Sequence, residues 1–553
     1  MEKPRRTILV IAICIGIMLG WQFLSQKMGW TPAPQPQAPA TADSAGAPDS
    51  TGANSVTGQP GQSGHTAQSG LAVYTESDSE VVVETPLYTA KFNTRGGILT
   101  SFALKKYTVY SAYEKNMPVE PVQLIAADAL PFAPLGVLIN NQHSWRNAAW
   151  SFEDDPRITL GDGQKRDFTF VGQLGALTLR RTITVDAASY TLHETLNISS
   201  TQDQTLSLGF SLSTANVATA QEYMAETRVA RLQNGSFEET SSTGDLSQGM
   251  SFGNNIAWAG NMSNYFIAAM LPADNAFRLD ARLQNGIYSL AFKKDDLRVG
   301  PDLPLRSEMS YYLGTKEKAA LEQAPNDLIS SVDYGWFGWM SRPLMWLLNI
   351  FHSFVGNYGV AIILLTVLVK IVLWPLSYKS FKSMQAMKQI QPHVMKLREK
   401  YKDDKQRMNQ EMMQLYRTYK VNPMGGCLPI LVQLPVFIGL YKALLNAFEL
   451  RQAAFIPYLP FTDNVWLYDL SLQDPYYITP IVMGALMFLQ QKLTPAPGDP
   501  TQAKIMLFMP VIFVFFFLSF PSGLVVYWLM NSLLSVAQQH WQLNMKGAKK
   551  AKS

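Results

Sequence analysis

The sequence has little of what enzymes and disulfide-stabilised domains commonly use. Its 553 residues include 2 cysteines and 6 histidines. Cys14 and Cys427 lie in apolar or membrane-edge segments, so no disulfide framework stabilises the polar part of the chain. His143 and His193 are isolated, without metal-ligand spacing, a G-x-S-x-G motif or a phosphate-binding glycine loop around them. These absences favour a structural or partner-binding role over catalysis for the first half.

Charged and apolar residues are unevenly distributed. At this length the chain has room for two or three domains. Residues 80–330 have the composition of a soluble domain, whereas residues 334–543 contain most of the long apolar runs. The formal net charge of +4 is small, but lysines and arginines cluster between and after those runs. This distribution predicts a soluble domain followed by a membrane region.

The N-terminus combines three basic residues with the apolar run 8–24. A cleaved signal peptide has a similar apolar length, but no small-x-small cleavage site follows directly. We therefore favour an uncleaved transmembrane anchor, residues 1–25, with its basic end in the cytoplasm. Residues 26–75 are rich in Pro, Ala, Gly and Ser and cannot bury enough apolar surface to fold, which predicts a flexible linker.

Residues 76–332 have the pattern of β-structure. Apolar and polar residues alternate in stretches such as LTLRRTITV and YTLHETLNI, and clusters of Gly, Asn and Asp separate these stretches. Alternation with a period of two predicts antiparallel strands with one buried face. A segment of this length predicts one large all-β sandwich domain.

A lysine interrupts the apolar segment 358–376, YGVAIILLTVLVKIVLWPL. The segment is long enough to cross a bilayer, and insertion scales penalise a charge at its centre by roughly 2.5–3.5 kcal/mol. The alternative is that Lys370 extends to the headgroups, since it lies near the end of the segment. Thr366 lies one helical turn earlier and Gln433 lies in the next apolar segment, which favours a shared wet cavity. The aromatic residues of 333–357 predict an amphipathic helix in the membrane interface.

The segment after this span is strongly basic. Residues 377–422 contain eleven lysines and arginines against four acidic residues, which predicts a cytoplasmic location. Apolar residues at helical spacing on both sides of Lys402-Asp403-Asp404 predict an antiparallel helical hairpin. Its six methionines form either the seam of the hairpin or a contact surface for substrate segments. Its basic face suits anionic lipid headgroups or ribosomal RNA.

Residues 423–545 are predicted to form spans 3–6. The run 505–543 is too long for one span and is interrupted by Phe520-Pro521-Ser522-Gly523, which predicts a tight transmembrane hairpin. Two of the spans are short, which favours local thinning of the bilayer. The basic tail, residues 546–553, is placed in the cytoplasm together with the N-terminus. The prediction is one anchor plus five core spans.

Three runs carry a family resemblance: VNPMGGCLPILVQLPVFIGLYKAL, DPYYITPIVMGALMFLQQKL and FMPVIFVFFFLSFPSGLVVYWLMN. They resemble the YidC/Oxa/Alb family of membrane protein insertases, and the anchor, linker and β-domain are similar to the Gram-negative bacterial YidC type. The resemblance implies a periplasmic β-supersandwich and a five-helix core in the inner membrane. This core would enclose a hydrophilic groove that is open to the cytoplasm and to lipid. The implied function is an insertase and folding chaperone for nascent inner-membrane proteins, acting alone or with the Sec translocon.

The same resemblance implies a set of groove residues. Lys370 occupies the position of the family's groove arginine, and it keeps the charge but lacks the planar fork of arginine. The other implied residues are the polar Thr366, Gln433 and Asn531 and the substrate-contacting aromatic pair Tyr527 and Trp528. The implied mechanism needs no nucleotide, metal or other cofactor and no small-molecule substrate, so the chain is predicted not to be an enzyme. The implied partners are nascent membrane proteins, the Sec translocon with its accessory subunits and membrane lipids, with the ribosome left open.

Three other functions fit parts of the sequence. A chaperone attached to the Sec translocon would share the groove without inserting proteins by itself. A solute transporter would also bury a lysine, but such proteins usually show an internal repeat of spans, and none is evident here. An intramembrane hydrolase would need Ser519 or Ser522 to reach His540, although these residues are predicted at opposite ends of a span.

Overall fold

The computed structural model describes residues 80–108, 120–125, 127–218, 226–402, 404–419, 428–494 and 500–550. The predicted anchor, residues 1–25, and the predicted linker, residues 26–75, lie outside the described residues. A β-rich part is followed along the chain by a helical part.

The β-rich part begins at Glu80. Its strands are β1 (Glu80–Glu84), β2 (Tyr88–Asn93), β3 (Leu99–Thr108), β4 (Pro121–Ile125), β5 (Gly136–Ile139), β6 (Gln142–His143), β7 (Ala149–Phe152), β8 (Arg157–Thr159), β9 (Lys165–Leu174), β10 (Leu177–Asp186), β11 (Thr191–Ser200), β12 (Gln204–Thr214), β13 (Arg228–Gln233), β14 (Ser236–Thr240), β15 (Met250–Phe252), β16 (Ile256–Met262), β17 (Phe266–Pro272), β18 (Arg278–Gln284), β19 (Ile287–Val299) and β20 (Leu305–Thr315). Short helices are α1 (Ser144–Asn147), α2 (Thr243–Gln248) and α3 (Lys318–Leu321).

Three sheets make up this part. A five-stranded sheet has the order β4-β3-β2-β1-β8, a nine-stranded sheet the order β14-β13-β16-β17-β20-β11-β10-β9-β7, and a six-stranded sheet the order β15-β18-β19-β12-β5-β6. The strand pairings are antiparallel except that β1 pairs with β8 in parallel, with Val82 opposite Arg157. The prediction of antiparallel strands is wrong for this pair. The chain reaches β8 after a long excursion through other sheets, and local alternation carries no signal of such a pairing.

The three sheets share one hydrophobic core. β10 buries every second side chain from Leu177 to Val185, as the alternation of its sequence predicts. β17 is buried along its whole length, because it lies inside the nine-stranded sheet with both faces covered. Phe102, Phe170 and Phe210 belong to different sheets and to the same cluster of buried side chains. The large β-sheet domain predicted from alternation is therefore present.

The helical part contains α4 (Gly338–Val355), α5 (Tyr358–Lys400), α6 (Lys405–Thr418), α7 (Leu428–Leu445), α8 (Ile478–Leu493), α9 (Pro500–Phe517) and α10 (Ser522–Lys550). Between α7 and α8 the chain forms a 3-10 turn, Phe448–Leu450, and a small hairpin of β21 (Ile456–Tyr458) and β22 (Val465–Leu467). A second core is built from buried side chains of α4, α5, α7, α8, α9 and α10.

Aromatic rings cover the outer face of α4. Trp339 and Trp346 are each 64% exposed, whereas Leu344 and Leu348 on the opposite face are buried. Ser341 ties the buried face to α7, since its Oγ donates to the carbonyl oxygen of Gly439 at 2.7 Å. This helix packs on one face and presents tryptophan on the other, and its location in the membrane interface, residues 333–357, stays a prediction.

α5 is one continuous helix of 43 residues. At the helical rise it is about 64 Å long, roughly twice the hydrocarbon thickness of a bilayer. The sequence predicts a span, 358–376, separate from the first arm of a basic hairpin, whereas in the structure one helix continues through Pro375 and Pro392. The second arm is α6, and its first turn is capped by Asp404, whose Oδ1 accepts a hydrogen bond from the backbone N–H of Arg407 at 2.9 Å.

By length and composition, α5 is the one helix of the described residues that could cross a membrane. Shorter apolar stretches, Val432–Leu445, Ile478–Leu493 and Met506–Phe517, fall within α7, α8 and α9. The first half of α10 contains Asn531 and Ser535, which lower its hydropathy. α9 ends at Phe517 and α10 begins at Ser522, so the chain turns where the break in the last apolar run is predicted.

Candidate functional site

The ammonium group of Lys370 is bound by α10. Its Nζ donates to Asn531 Oδ1 at 3.0 Å and to Ser535 Oγ at 2.7 Å. Asn531 and Ser535 are four residues apart, so they lie one turn apart on the same face of α10. The contact joins the cation of one helix to a polar stripe of another.

A third helix joins this contact through Gln433 of α7. Its Nε2 donates to the same Asn531 Oδ1 at 3.0 Å, so this oxygen accepts from a charged and a neutral donor. Ser535 Oγ donates its own hydrogen to the carbonyl oxygen of Asn531 at 2.7 Å, which leaves its lone pairs for Lys370. We call this group of four residues the Lys370 cluster: Lys370, Gln433, Asn531 and Ser535.

The Lys370 cluster holds a cation without a counter-ion in the part of the chain that the structure describes. The acceptors of Lys370 Nζ are neutral oxygens, which form weaker hydrogen bonds to an ammonium group than carboxylates do. An ammonium group has three donors, and the described residues accept two of them. The side chain keeps some exposure. The arrangement therefore suits an acidic group that arrives from outside.

The other three predicted residues lie in the packing between helices. Thr366 is 1% exposed, and its hydroxyl donates to a carbonyl oxygen of its own helix at 2.7 Å. Tyr527 is also 1% exposed and belongs to the helical core. Trp528 is partly buried in an aromatic cluster. Its ring centroid lies 4.6, 6.1 and 5.5 Å from those of Phe437, Phe513 and Phe517.

Sequence reasoning missed Ser535. A signal for it exists, because Ser535 follows Asn531 by four residues and therefore shares its helix face. Serine is common in apolar helices, where its hydroxyl bonds to the preceding turn, so the spacing alone does not mark it as a partner of Lys370. Its second hydrogen bond, to a cation on another helix, is visible only in three dimensions.

Comparisons with known proteins match both parts of the chain. The family described as YidC periplasmic domain matches residues 80–347, and the family described as 60Kd inner membrane protein matches residues 350–550. A membrane protein insertase YidC of Nitratidesulfovibrio vulgaris strain DP4 is 48% identical over 98% of this chain and 99% of its own length. A protein with the same description from Oleidesulfovibrio alaskensis is 46% identical over 98% and 99%. The chain belongs to the YidC family of membrane protein insertases.

Membership of the YidC family confirms several of the predictions. The β-rich part is the periplasmic domain, the helical part is the inner-membrane region, and the family is non-enzymatic. A solved structure of an active YidC insertase matches 84% of this chain and 92% of its own, at 18% identity. Its TM-score of 0.36 is too low to establish a shared fold.

The histidines of this YidC periplasmic domain lie on different sheets. Nδ1 of His193 on β11 lies 2.9 Å from Ser310 Oγ, whereas His143 ends β6 of the six-stranded sheet. Burial, with the nearby charges of Arg146 and Lys293, lowers the pKa of His143 to about 4. A neutral, mostly buried imidazole is suited to packing, and the two rings form no joint site.

The serine–histidine alternative has no geometric support in α10. Ser522 begins the helix, and its Oγ donates to the carbonyl oxygen of Asp469 at 3.3 Å. His540 lies about five turns, or about 27 Å, further along the helix axis. Its Nε2 lies 3.0 Å from Asn544 Nδ2. The hydroxyl and the imidazole cannot exchange a proton over this separation.

Proposed function

We propose that this chain inserts nascent inner-membrane proteins into the bilayer and that the Lys370 cluster receives the polar segment that has to cross. The bonding of Lys370 Nζ to neutral oxygens carries the proposal. Such a cation gains a stronger partner when an acidic side chain approaches it. The function of the cluster is therefore to attract and hold a polar segment for a limited time.

Insertion then proceeds by partition into lipid. The polar segment enters from the cytoplasm and reaches Lys370, while the apolar segment lies along α10 and its neighbours. Leu, Ile, Phe and Val each gain about 0.3–0.6 kcal/mol at the centre of a helical span. A span of roughly 20 residues therefore supplies several kcal/mol, enough to withdraw the polar segment from a single ion pair.

We further propose one anchor plus five core spans, both termini in the cytoplasm and a supersandwich fold for the periplasmic domain. The basic hairpin, formed by the second half of α5 and by α6, supports this orientation through the positive-inside rule. The length of α5, about 64 Å, carries its basic half beyond the hydrocarbon. The short apolar helices α8 and α9 favour a locally thinned bilayer beside the Lys370 cluster.

The basic hairpin is the proposed contact surface for cytoplasmic partners. Leu397 and Leu415 line a cavity of about 400 Å³ between its arms and belong to its seam. Met395 and Met413 are 52% and 57% exposed, which favours contact with incoming apolar segments. We propose anionic lipid headgroups, the ribosome and the Sec translocon with its accessory subunits as further partners, since basic residues cover both arms.

Reconstitution in liposomes tests the role of Lys370. The substrate is a small two-span protein with an acidic translocated loop, compared with the same protein whose loop acids are replaced by Asn and Gln. We expect Lys370→Ala to lower protease-protected insertion of the acidic substrate about tenfold, since a hydrogen bond to a charged group contributes about 1.5–3 kcal/mol. Insertion of the neutral substrate should change little, and Lys370→Arg should retain activity. Arg342→Ala, which removes an exposed cation of α4 outside both the cluster and the basic hairpin, is the matched control.

Two outcomes would contradict the proposal. If Lys370→Ala inserts each substrate as well as the wild-type protein does, attraction of the substrate by the charge of Lys370 is refuted. No insertion by the wild-type chain without the Sec translocon would favour the alternative of a translocon-attached chaperone.

A further inference from the structure

The loop between α7 and α8, residues 446–477, enters the core of the β-domain. Phe448 is 5% exposed and belongs to the hydrophobic core of that domain rather than to the helical core. Its ring centroid lies 5.1 Å from that of Tyr107 and 6.1 Å from that of Phe266, both in edge-on contacts. Edge-on aromatic pairs stabilise the packing beyond the burial of their area. The loop is thus packed into the periplasmic domain.

Arg451 of the same loop adds a directional contact to the β-domain. It is 8% exposed, and its Nη2 donates to the carbonyl oxygen of Thr108, the last residue of β3, at 2.7 Å. Its guanidinium carbon lies 5.0 Å from the ring centroid of Phe266. Nε2 of the next residue, Gln452, donates to Thr108 Oγ1 at 3.2 Å. These contacts fix the position of the loop relative to the end of β3.

The opposite side of the loop contacts the beginning of α5. Asn357 precedes the helix, and its Nδ2 donates to the carbonyl oxygen of Phe455 at 3.1 Å. Asn357 Oδ1 also accepts from the backbone N–H of Val360 and caps the first turn. Gly359 lies so close to the Phe455 ring that a Cβ atom at this position would overlap it. The first turn of α5 is therefore fitted to the loop.

The loop also caps α10. The backbone N–H of Ser522 donates to the carbonyl oxygen of Leu472 at 2.6 Å, and that of Gly523 donates to Leu470 at 2.9 Å. The first N–H groups of a helix have no partner within it, so the loop supplies their acceptors. One loop thus holds the outer ends of α5 and α10, the two helices that meet at Lys370 and Asn531.

We propose that Arg451 is a positioning residue for the Lys370 cluster. By binding the α7–α8 loop to the β-domain, it holds α5 and α10 at the positions along their axes where Lys370 meets Asn531. The inference rests on the proposed function of that cluster. Lys370 lies about 18 Å and Asn531 about 14 Å from the beginnings of their helices. A slide of one helix by one residue, about 1.5 Å, would exceed the range of a hydrogen bond.

The test compares insertion of the acidic and the neutral two-span substrate by full-length Arg451→Met, Arg451→Lys and wild type in liposomes. A displacement near 1 Å costs up to about a hundredfold in enzyme sites. We expect a loss of about threefold or more with Arg451→Met for the acidic substrate and little change for the neutral one. Arg451→Lys, which keeps a donor and the charge, should lose less. The matched control is Arg278→Met, an exposed arginine of the β-domain that lies away from the α7–α8 loop sequence.

Epistasis separates positioning from a general loss of structure. In a Lys370→Ala background, Arg451→Met should have no further effect on the acidic substrate, because the charge that it positions is gone. Equal losses for both substrates, or an additive loss in the double variant, would overturn the proposal. If Arg451→Met fails to fold, the same comparison is made with Arg451→Lys. If Lys370→Ala itself has no effect, the proposed function of the cluster fails, whatever Arg451 does.

Discussion

Two enclosed cations, one in each part of the molecule, have contrasting surroundings. Arg181 of β10 is 0% exposed, and its five N–H donors all find acceptors. The acceptors are both carboxylate oxygens of Glu194, at 2.6 and 2.9 Å, and the carbonyl oxygens of Gly96, Gly97 and Leu135, at 2.7, 2.8 and 2.5 Å. Lys370 has two neutral acceptors among the described residues.

The difference separates a structural cation from one that is available to a ligand. Burial alone would lower the pKa of Arg181, but the attraction to Glu194 outweighs burial and raises it. Tyr311 completes the network, since its hydroxyl donates to Glu194 Oε2 at 3.0 Å. A network with every donor used specifies one arrangement of the sheets and offers nothing to a partner. Among the described residues Lys370 has one donor left and no carboxylate partner, so it offers what an acidic segment needs.

The largest expected effect comes from breaking the Arg181 network. Arg181→Met leaves Glu194 buried without its partner, and removal of one member of a buried pair costs about 3–5 kcal/mol. We expect the free energy of unfolding of the periplasmic domain to fall by that amount. Pulse proteolysis of the full-length protein at increasing urea concentration measures it.

Two further variants test whether the unpaired buried charge causes this loss of stability. Arg180→Met removes the neighbouring arginine on the same strand, whose exposed ion pair with Glu153 at 3.9 Å contributes about 0–1 kcal/mol. The double variant Arg181→Met/Glu194→Leu should recover much of the stability, because no buried charge remains unpaired. If Arg180→Met were as harmful as Arg181→Met, burial of the charge would not be the cause.

Replacement of Lys370 by Met, unlike that of Arg181, is not expected to lower the stability of the protein. Lys370→Met removes a charge that is partly withdrawn from water and has no carboxylate partner in the described part of the chain. Thermal stability in detergent should therefore stay unchanged or rise, while insertion of acidic substrates falls about tenfold. Differential scanning fluorimetry and the liposome assay measure the two quantities on one preparation. A loss near the 3–5 kcal/mol expected for Arg181→Met would show that Lys370 is structural as well.

The sequence pattern marks both cations, Lys370 and Arg181, but with signals of different strength. Lys370 is visible because a charge interrupts an apolar run of nearly uniform composition. Arg181 has a fainter signal: it takes the same alternation phase as Leu179 and Ile183, which places it on the buried face of β10. Its carboxylate, Glu194, follows from β11 and could not be assigned as its partner without the fold. Periodicity predicts which face a residue occupies, but not which residues meet there.

Other features escaped the sequence for related reasons. The parallel β1–β8 pair and the contact of Arg451 with Thr108 join segments far apart in the chain, and local pattern carries no signal of either. The continuity of α5 is not predicted, because the boundary at residue 376 follows the change from apolar to basic composition, and a change of composition does not end a helix. Gln433 is predicted from its position in an apolar segment and Asn531 from the family resemblance, and the structure adds their mutual hydrogen bond.

Asn531→Asp would give Lys370 the counter-ion that Arg181 has. The new carboxylate should compete with acidic segments of the substrate, so insertion of the acidic substrate should fall about three- to tenfold, with little change for the neutral one. The liposome assay with both substrates measures this, and Asn544→Asp, an exposed position on the same helix, is the control. Equal insertion of the acidic substrate by Asn531→Asp and wild type would mean that the charge of Lys370 is not what the substrate uses.

The smallest expected effect is the pH dependence of the stability of the β-domain, which arises from the buried ring of His143. Burial holds the pKa of His143 at about 4, below its ordinary value of 6.5, so the unfolded chain binds a proton more readily than the folded domain. Stability contributed by the neutral ring is present above pH 6.5 and is lost as the pH falls towards 4. After allowance for solvent screening of a partly exposed ring, we expect the free energy of unfolding to drop by less than about 1 kcal/mol between pH 7.5 and 5.5. His143→Gln should flatten this slope in urea unfolding series, whereas His393→Gln on the basic hairpin should leave it unchanged. An unaltered slope in His143→Gln would assign the acid sensitivity of the domain to other groups.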